Sequence, residues 1–513
     1  MRRILTGLCA ALLSAGVAQP AWSAWHKAST KHFIIYSDQD PDRLRAYAAR
    51  LEKFDQAVRH ARGTSDYTIG DGNRLTIFVI QNTAAIQRLV GDRSKSIAGF
   101  YIGRASGPFA VVPRSTNDNE LTSDVVFFHE YSHHMMLQEL DRPYPKWLVE
   151  GFAEFMSTAS FEKDGSVVLG RPANHRALGL FYADGMPLEA LLAGNYEKLT
   201  DEQFESIYGR GWLLTHYLYF DEKRKGQLTA YIQAIAAGTP ALDAAYKAFG
   251  DLQALDRDLN NYMRQRRVSA LSVFSNVFKP VAVDVQPLTS GAVEVLPLRI
   301  ESKLGVDEKT AEPLAAKVRR LQAKYPGDSL VEVTLAEAEL DSGHPEASEA
   351  AADRALAADP KNTEAMIYKG RAIGARAAAM NTPDPKLFAE SRKWFLQANK
   401  LDAEDPEPLF EFYKSFLDEG VAPTKNAIAA LHYASNLAPQ DISVRMNSAM
   451  QHLRDRNLKT ARNTLVPIAF NPHEGEAATI ARAMITRIDA GDVAGAEKAA
   501  EGESKTSPET ANR

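Results

Sequence analysis

Residues 129 to 133 read His129-Glu130-Tyr131-Ser132-His133, and after sixteen intervening residues a second acidic residue, Glu150, stands in Trp147-Leu148-Val149-Glu150-Gly151-Phe152-Ala153-Glu154. On a helix, positions i and i+4 project from one face, so His129 and His133 can present two imidazole nitrogens to one ion. Zinc needs a third ligand, and a following helix can bring back Glu150. Glu130 lies beside the pair, where it can take a proton from a water activated by the ion. This is the residue set with which a zinc hydrolase works.

The short pattern is modest evidence by itself: with 12 His in 513 residues, a chance match is expected at roughly the per cent level. Its setting adds more. Val125-Val126-Phe127-Phe128 precedes it and Met135-Met136-Leu137 follows, which predicts a largely buried helix of about four turns. Two histidines and a glutamate inside such a helix are costly without partners. The competing reading is an ordinary core helix whose histidines are satisfied by hydrogen bonds.

The two segments together resemble the gluzincin zinc metallopeptidases, a peptidase MA-like group, including the Trp-Leu-Asn-Glu-Gly-Phe-Ala segment of the M1 aminopeptidases. The resemblance implies that His129, His133 and Glu150 bind zinc and that Glu130 is the general base. Glu154, four residues after Glu150, stands where thermolysin-like members carry an acidic residue that orients a ligand histidine. It would then accept the other ring N–H of His129, the alternative being a solvated helix charge. Further on, Ile207-Tyr208-Gly209-Arg210-Gly211-Trp212 is similar to the segment that supplies the transition-state tyrosine in M1 enzymes. Tyr208 would donate to the oxyanion formed during attack on a carbonyl, the alternative being simple packing. No Gly-Ala-Met-Glu-Asn-like segment precedes the motif, so the element that holds a substrate's free amine is missing. An endopeptidase is favoured over an aminopeptidase. The chain also resembles secreted bacterial proteins that join such a domain to tetratricopeptide repeats.

The elements that must position these residues can be read in outline, and the whole is expected to be α+β: a gluzincin-like domain over 25–270, then an all-α tetratricopeptide solenoid. His32-Phe33-Ile34-Ile35-Tyr36 and Arg74 to Gln81 read as strands, separated by an amphipathic helix from Pro41 to Arg62 with Leu44, Tyr47, Leu51 and Phe54 on one face. Gly99 to Gly103 and Phe109 to Val112 read as a hairpin through Arg104 to Pro108, and by analogy its edge would hold a substrate strand. Helices follow over Leu188 to Leu192, around Tyr208, and from Leu228 to Tyr262. Arg264 to Arg267 read as a solvated helix end. His134 points about 100° away from the ligand pair and is expected to pack or hydrogen-bond; His175 and His216 could reach the cleft, with a structural role the leading expectation for each. Residues 271–305 read as a linker with a small β hairpin, Val277 to Val283 and Val293 to Pro297 being extended around Thr289-Ser290-Gly291.

Beyond residue 306 the chain is rich in Ala, Leu and Glu, and Pro326, Pro360, Pro406, Pro439 and Pro472 recur at intervals of 34, 46, 33 and 33. That is the tetratricopeptide period with a proline closing each helical pair, the long interval reflecting about a dozen extra residues around Ala377 to Leu387. Ala355 and Ala434 stand five residues before their prolines, where helices cross closely. A solenoid over 306–500 offers a groove for a protein partner or substrate. An irregular helical bundle is the alternative. Residues 501–513 lack apolar anchors and read as a disordered tail.

At the N-terminus, Met1-Arg2-Arg3 and the apolar run Ile4 to Val17 form an export signal over 1–23, with cleavage after Ala21-Trp22-Ser23 or after Gly16-Val17-Ala18. Cys9, the single cysteine, lies inside that run without the lipidation pattern, so the mature chain would have no disulfide and no thiol ligand. The protein is expected in the periplasm or secreted. With 60 Lys and Arg against 65 Asp and Glu and no long basic run, nothing points to nucleic acid. No second apolar stretch is long enough for a membrane span.

The leading expectation is an exported zinc metallopeptidase with Zn2+ as cofactor, acting on a peptide or protein substrate, with a protein partner on the repeats. Two others stand beside it: a catalytically silent peptidase-like scaffold for envelope assembly, and a zinc hydrolase of a non-peptide amide or ester.

Overall fold

The computed structural model describes residues 25–66, 69–90, 98–116, 121–138, 144–177, 180, 186–194, 196, 199–380, 382, 384–469 and 475–504. The export signal at 1–23, Cys9, Pro472 and the last nine residues of the tail lie outside them. Residues 501–504, read as disordered, continue the last helix.

The N-terminal part runs β1 (His26–Ser29), β2 (Phe33–Ser37), α1 (Pro41–Arg62), β3 (Leu75–Asn82), α2 (Thr83–Val90), β4 (Phe100–Ile102), β5 (Phe109–Ser115), α3 (Ser123–Gln138), α4 (Lys146–Ser157), β6 (Ser160–Phe161), β7 (Val167–Leu169), α5 (Leu188–Ala193), α6 (Asp201–Phe220), α7 (Gln227–Ala236), α8 (Ala241–Phe249), α9 (Leu252–Met263), β8 (Leu271–Val273), β9 (Asp284–Pro287) and α10 (Ser290–Lys303). One sheet has the order β4-β5-β3-β2-β1-β9 and a smaller one β6-β7-β8. Strands β2, β3 and β5 are parallel, with Ile35 beside Ile77 and Phe78 beside Val111, while β4 runs antiparallel on the outer edge.

Alternation along these strands sends side chains to two cores. Phe33, Ile35, Ile77, Ala110 and Val112 face α1 and α3, whereas Tyr36, Phe78, Phe109 and Val111 face Ile86 of α2 and Leu296 and Ile300 of α10. The central strands are thus covered on both sides and read as nearly continuous apolar runs. At about 25 cal/mol per Å2 of apolar surface, a sheet face of this size cannot be left open without a large loss of stability.

That requirement corrects the reading of residues 271–305 as a linker with a hairpin. β8 pairs with β7 and β9 with β1, so the two strands join different sheets. Val293 to Pro297, expected to be extended, lie inside α10. The N-terminal unit therefore extends past residue 270 and takes in β9 and α10. Thr289 caps that helix by accepting from the Ala292 N–H at 3.1 Å, a signal that outweighs the local run of β-formers.

The C-terminal helices are α11 (Ala311–Lys324), α12 (Ser329–Asp341), α13 (Pro345–Ala358), α14 (Thr363–Ala378), α15 (Pro385–Leu401), α16 (Pro406–Asp418), α17 (Lys425–Leu437), α18 (Ile442–Arg454), α19 (Leu458–Ala469), α20 (Glu476–Asp489) and α21 (Val493–Ser504). Successive helices pack as neighbours in tetratricopeptide-like pairs. Pro326, Pro360 and Pro439 stand in the turns, and Pro406 opens α16. The long interval is spent on α14 and α15, of 16 and 17 residues. Ala355 and Ala434 are fully buried at the crossings.

The repeats also dock on the sheet unit. Ala105, at the tip of the β4–β5 hairpin, donates its N–H to Asp441 Oδ2 at 2.7 Å, and Gly72 donates to Asp402 Oδ2 at 3.0 Å. The Asn73 side chain donates to the Leu437 carbonyl at 2.7 Å. From α10, Arg299 and Lys303 reach Glu364 at 2.7 and 2.9 Å. Part of the face expected to receive a partner is thus filled by this chain's own hairpin tip and α10. No described helix is long and apolar enough to cross a membrane.

Candidate metal centre

Helix α3 is buried through Val126, Phe127, Phe128, Tyr131 and Met135. Its rotation is set by Tyr131, whose hydroxyl donates to Asp55 of α1 at 2.6 Å. That leaves His129 and His133 on the opposite side, turned toward α4. Their Nε2 atoms lie 3.1 Å apart, and Glu150 Oε2 lies 3.5 Å from the first and 3.4 Å from the second. Among the described residues, these three form one of two groups close enough to share an ion.

Helix α4 reaches this position because it crosses α6 with the two backbones in contact. A Cβ on Gly151 would overlap the Gly211 carbonyl, so only glycine permits the approach. The same crossing brings Tyr208, one helical turn before Trp212, toward the histidines. Its ring centre is 6.0 Å from that of His129.

Whether the set suits zinc can be tested on the donor triangle. Zinc with ligand bonds of 2.0–2.1 Å in a tetrahedron has donor atoms about 3.3 Å apart, and the edges here are 3.1, 3.4 and 3.5 Å. Glu150 Oε2 is buried without a well-directed hydrogen-bond partner, and an oxygen of this kind is costly unless a cation faces it. The donors are two imidazole nitrogens and a carboxylate, a set zinc favours over calcium or magnesium. The residues fit the ion.

The electrostatics agree. Burial disfavours charge on His129, but the Glu154 carboxylate and the contact with Glu150 outweigh it and push its pKa up to about 10. Burial would raise Glu150, yet the His133 and His129 imidazoles hold it far below the ordinary range. Glu154 is likewise opposed by burial and held down by Arg176 and His129. The position among these groups is one that attracts positive charge. Glu130 is half-buried beside the pair, and burial raises its pKa. Burial, with the Glu150 charge next, raises Tyr208 strongly.

Glu154 is fully buried on α4, and its Oε1 lies 3.2 Å from His129 Nδ1. It is therefore no solvated helix charge. It also accepts from His175 Nε2 at 2.6 Å and from Arg176 Nε at 2.8 Å. No sequence signal marks Arg176, and His175 takes the cleft position rather than the purely structural one that the sequence favours. Both stand on the loop after β7, and no spacing rule ties that loop to α4.

The other two histidines are structural. His134 exchanges a hydrogen bond with the Tyr101 hydroxyl at 2.8 Å and, with burial dominant, its pKa falls to about 3. His216 donates from Nε2 to the Gly170 and Ser269 carbonyls at 2.9 and 3.0 Å, and accepts from Tyr262 at Nδ1 at 2.9 Å. It fixes the start of the loop that carries His175.

No protein-family model and no curated protein matches the chain. Among solved structures it is similar to one titled "Functional Characterization of Pseudomonas Aeruginosa pilF", with 15% identity and a TM-score of 0.32, over 43% of this chain and 93% of that chain.

Proposed function

We propose that this protein is an exported, zinc-dependent peptidase of the gluzincin type, with His129, His133 and Glu150 as the metal ligands. The observation that carries the proposal is the triangle of donors with tetrahedral edges, one corner of which, Glu150 Oε2, has no well-directed hydrogen bond. Zinc held there supplies Lewis acidity toward water and toward a carbonyl. Glu130 takes the proton that water gives up as it attacks the scissile carbonyl and passes it to the departing amine. Tyr208 donates its hydroxyl to the oxygen that becomes negative. Glu154 Oε1, 3.2 Å from His129 Nδ1, faces the back of that ring and keeps Nε2 turned to the donor triangle. Strand β4, on the outer edge of its sheet, offers its free side to an extended peptide. With no amine-holding segment, an endopeptidase is favoured. The repeats contribute contacts to a protein substrate or partner on the surface that the hairpin tip and α10 leave open.

The test is metal analysis together with a peptide-library digest, for wild type and Glu130→Gln. Both proteins should carry about one zinc per chain, and only wild type should cleave. Protein purified without chelators that holds no zinc and takes none up overturns the assignment. Zinc with no cleavage by wild type would favour the silent scaffold or an ester or amide substrate.

A further inference from the structure

The two groups behind the donor triangle, Glu154 and Tyr208, meet on one side chain. Arg176 places Nε 2.8 Å and Nη2 2.7 Å from Glu154 Oε1, and Nη1 3.1 Å from Glu205 Oε2. Its guanidinium carbon lies 4.4 Å from the centre of the Tyr208 ring. The side chain is only 20% exposed. We propose that Arg176 is a positioning residue that couples the carboxylate behind His129 to Tyr208, so that ligand orientation and oxyanion donor are set by one group. The inference rests on the peptidase reading and names a further participant in it.

Two physical arguments carry it. The first is charge. Glu130, Glu150 and Glu154 bring three negative charges to a centre with little water, and a dication leaves one of them uncompensated. Arg176, whose other partner Glu205 is half-exposed to solvent, offsets that remaining buried charge, and buried charge is tolerated only when balanced. The second is shape. Two carboxylates hold the guanidinium fork, which fixes its plane, and Tyr208 lies against that plane. Phe204 closes the ring's other surroundings edge-on at 5.4 Å. A lysine can restore the charge but has no plane to set the ring.

The experiment compares Arg176→Gln, Arg176→Lys, Tyr208→Phe and the Arg176→Gln/Tyr208→Phe double variant in the full chain. Zinc affinity is read by competition with a chromophoric chelator, and kcat and KM are measured at saturating zinc. Arg176→Gln should weaken zinc about 10- to 100-fold, as loss of a group supporting a ligand does. Its kcat should fall about as far as that of Tyr208→Phe, with KM little changed. The double variant should be no slower than the slower single variant, since the two act as a unit. Arg176→Lys should recover most of the zinc affinity and little of kcat. Unchanged zinc affinity in Arg176→Gln overturns the inference, and so does a multiplicative loss in the double variant. A lower melting temperature with normal zinc affinity and kcat would reduce Arg176 to a structural role and overturns it as well. Wild type that binds zinc and cleaves nothing fails the peptidase reading alone, and the affinity comparison still decides the link from Arg176 through Glu154. Wild type that takes up no zinc overturns both.

Discussion

Two buried clusters of histidine and carboxylate lie on either side of α3, and they end differently. In the first, His32 Nδ1 donates to Glu52 Oε2 at 2.7 Å, its backbone N–H donates to Glu52 Oε1 at 2.8 Å, and Nε2 lies 3.1 Å from Asp66. Asp55 completes the group and accepts from Arg59 Nε at 2.9 Å and from Tyr131 at 2.6 Å. Hydrogen bonds from His32 and the Arg59 guanidinium satisfy its carboxylates from within the chain. In the second, His129, His133 and Glu150 converge, and Glu150 Oε2, 3.4 and 3.5 Å from the two imidazoles, has no well-directed hydrogen bond. Convergence of ligand-type residues is therefore weak evidence of a metal site. Donor atoms spaced like the edges of a metal tetrahedron, one of them a buried carboxylate oxygen with no well-directed hydrogen bond, are the stronger sign.

The largest expected effect separates the clusters directly. His133→Ala, His129→Ala or Glu150→Ala should reduce zinc from about one per chain to nearly none, because two ligands cannot hold the geometry. His32→Ala should leave about one. Elemental analysis after desalting checks this, and zinc loss in His32→Ala would erase the distinction.

Glu52→Gln sharpens it from the other side, by removing a partner from a closed ion network. A loss of about 3–5 kcal/mol in unfolding free energy is expected, with zinc content unchanged in the folded protein. The pH dependence has a definite sign. Burial opposes the Glu52 charge, but the His32 contacts hold its pKa below the ordinary 4.5, so its contribution is present above 4.5 and is lost as pH falls through the folded value. Burial likewise opposes the His32 charge, but Glu52 and Asp55 raise its pKa above the ordinary 6.5, so its contribution is complete below 6.5 and is lost as pH rises through the folded value. The gap between wild type and Glu52→Gln in urea titrations should be widest between pH 4.5 and 6.5. A gap independent of pH would mean that the network is not ionic.

Tyr208→Phe probes the open cluster without touching a ligand. It should lower kcat by about 100-fold with little change in KM if the hydroxyl meets charge that develops only in the transition state. Equal turnover would make Tyr208 a packing residue. The smallest effect is expected at Asp441, remote from both clusters. Asp441→Ala removes the helix cap at Val444 and leaves the Ala105 N–H without its acceptor, a loss of about 1–2 kcal/mol seen in thermal unfolding with zinc content unaltered.

Much of the candidate metal centre is legible in the sequence because its parts are local. The i, i+4 spacing of His129 and His133 and the placement of Glu150 and Glu154 on the next helix need only helical geometry. The apolar runs of β2, β3 and β5 and the recurrence of prolines in the repeats are local in the same sense. The stretch from 271 to 305 departs from its local β propensity because Leu296 and Ile300 pack against the sheet from one helix. Val293 to Pro297 became helix because the open face of the sheet needed a helical cover, and tertiary burial outweighs propensity.

What the sequence by itself determined is therefore the set of donors, the helices that carry them and the period of the repeats, all of which follow from backbone geometry over a few residues. Only the tertiary structure decided that His175 and Arg176 converge on Glu154, that Gly151 and Gly211 let two helix backbones touch, and that Asp441 accepts from Ala105 across 336 positions. These meetings depend on how packed layers close on one another, and spacing along the chain carries no information about that closure.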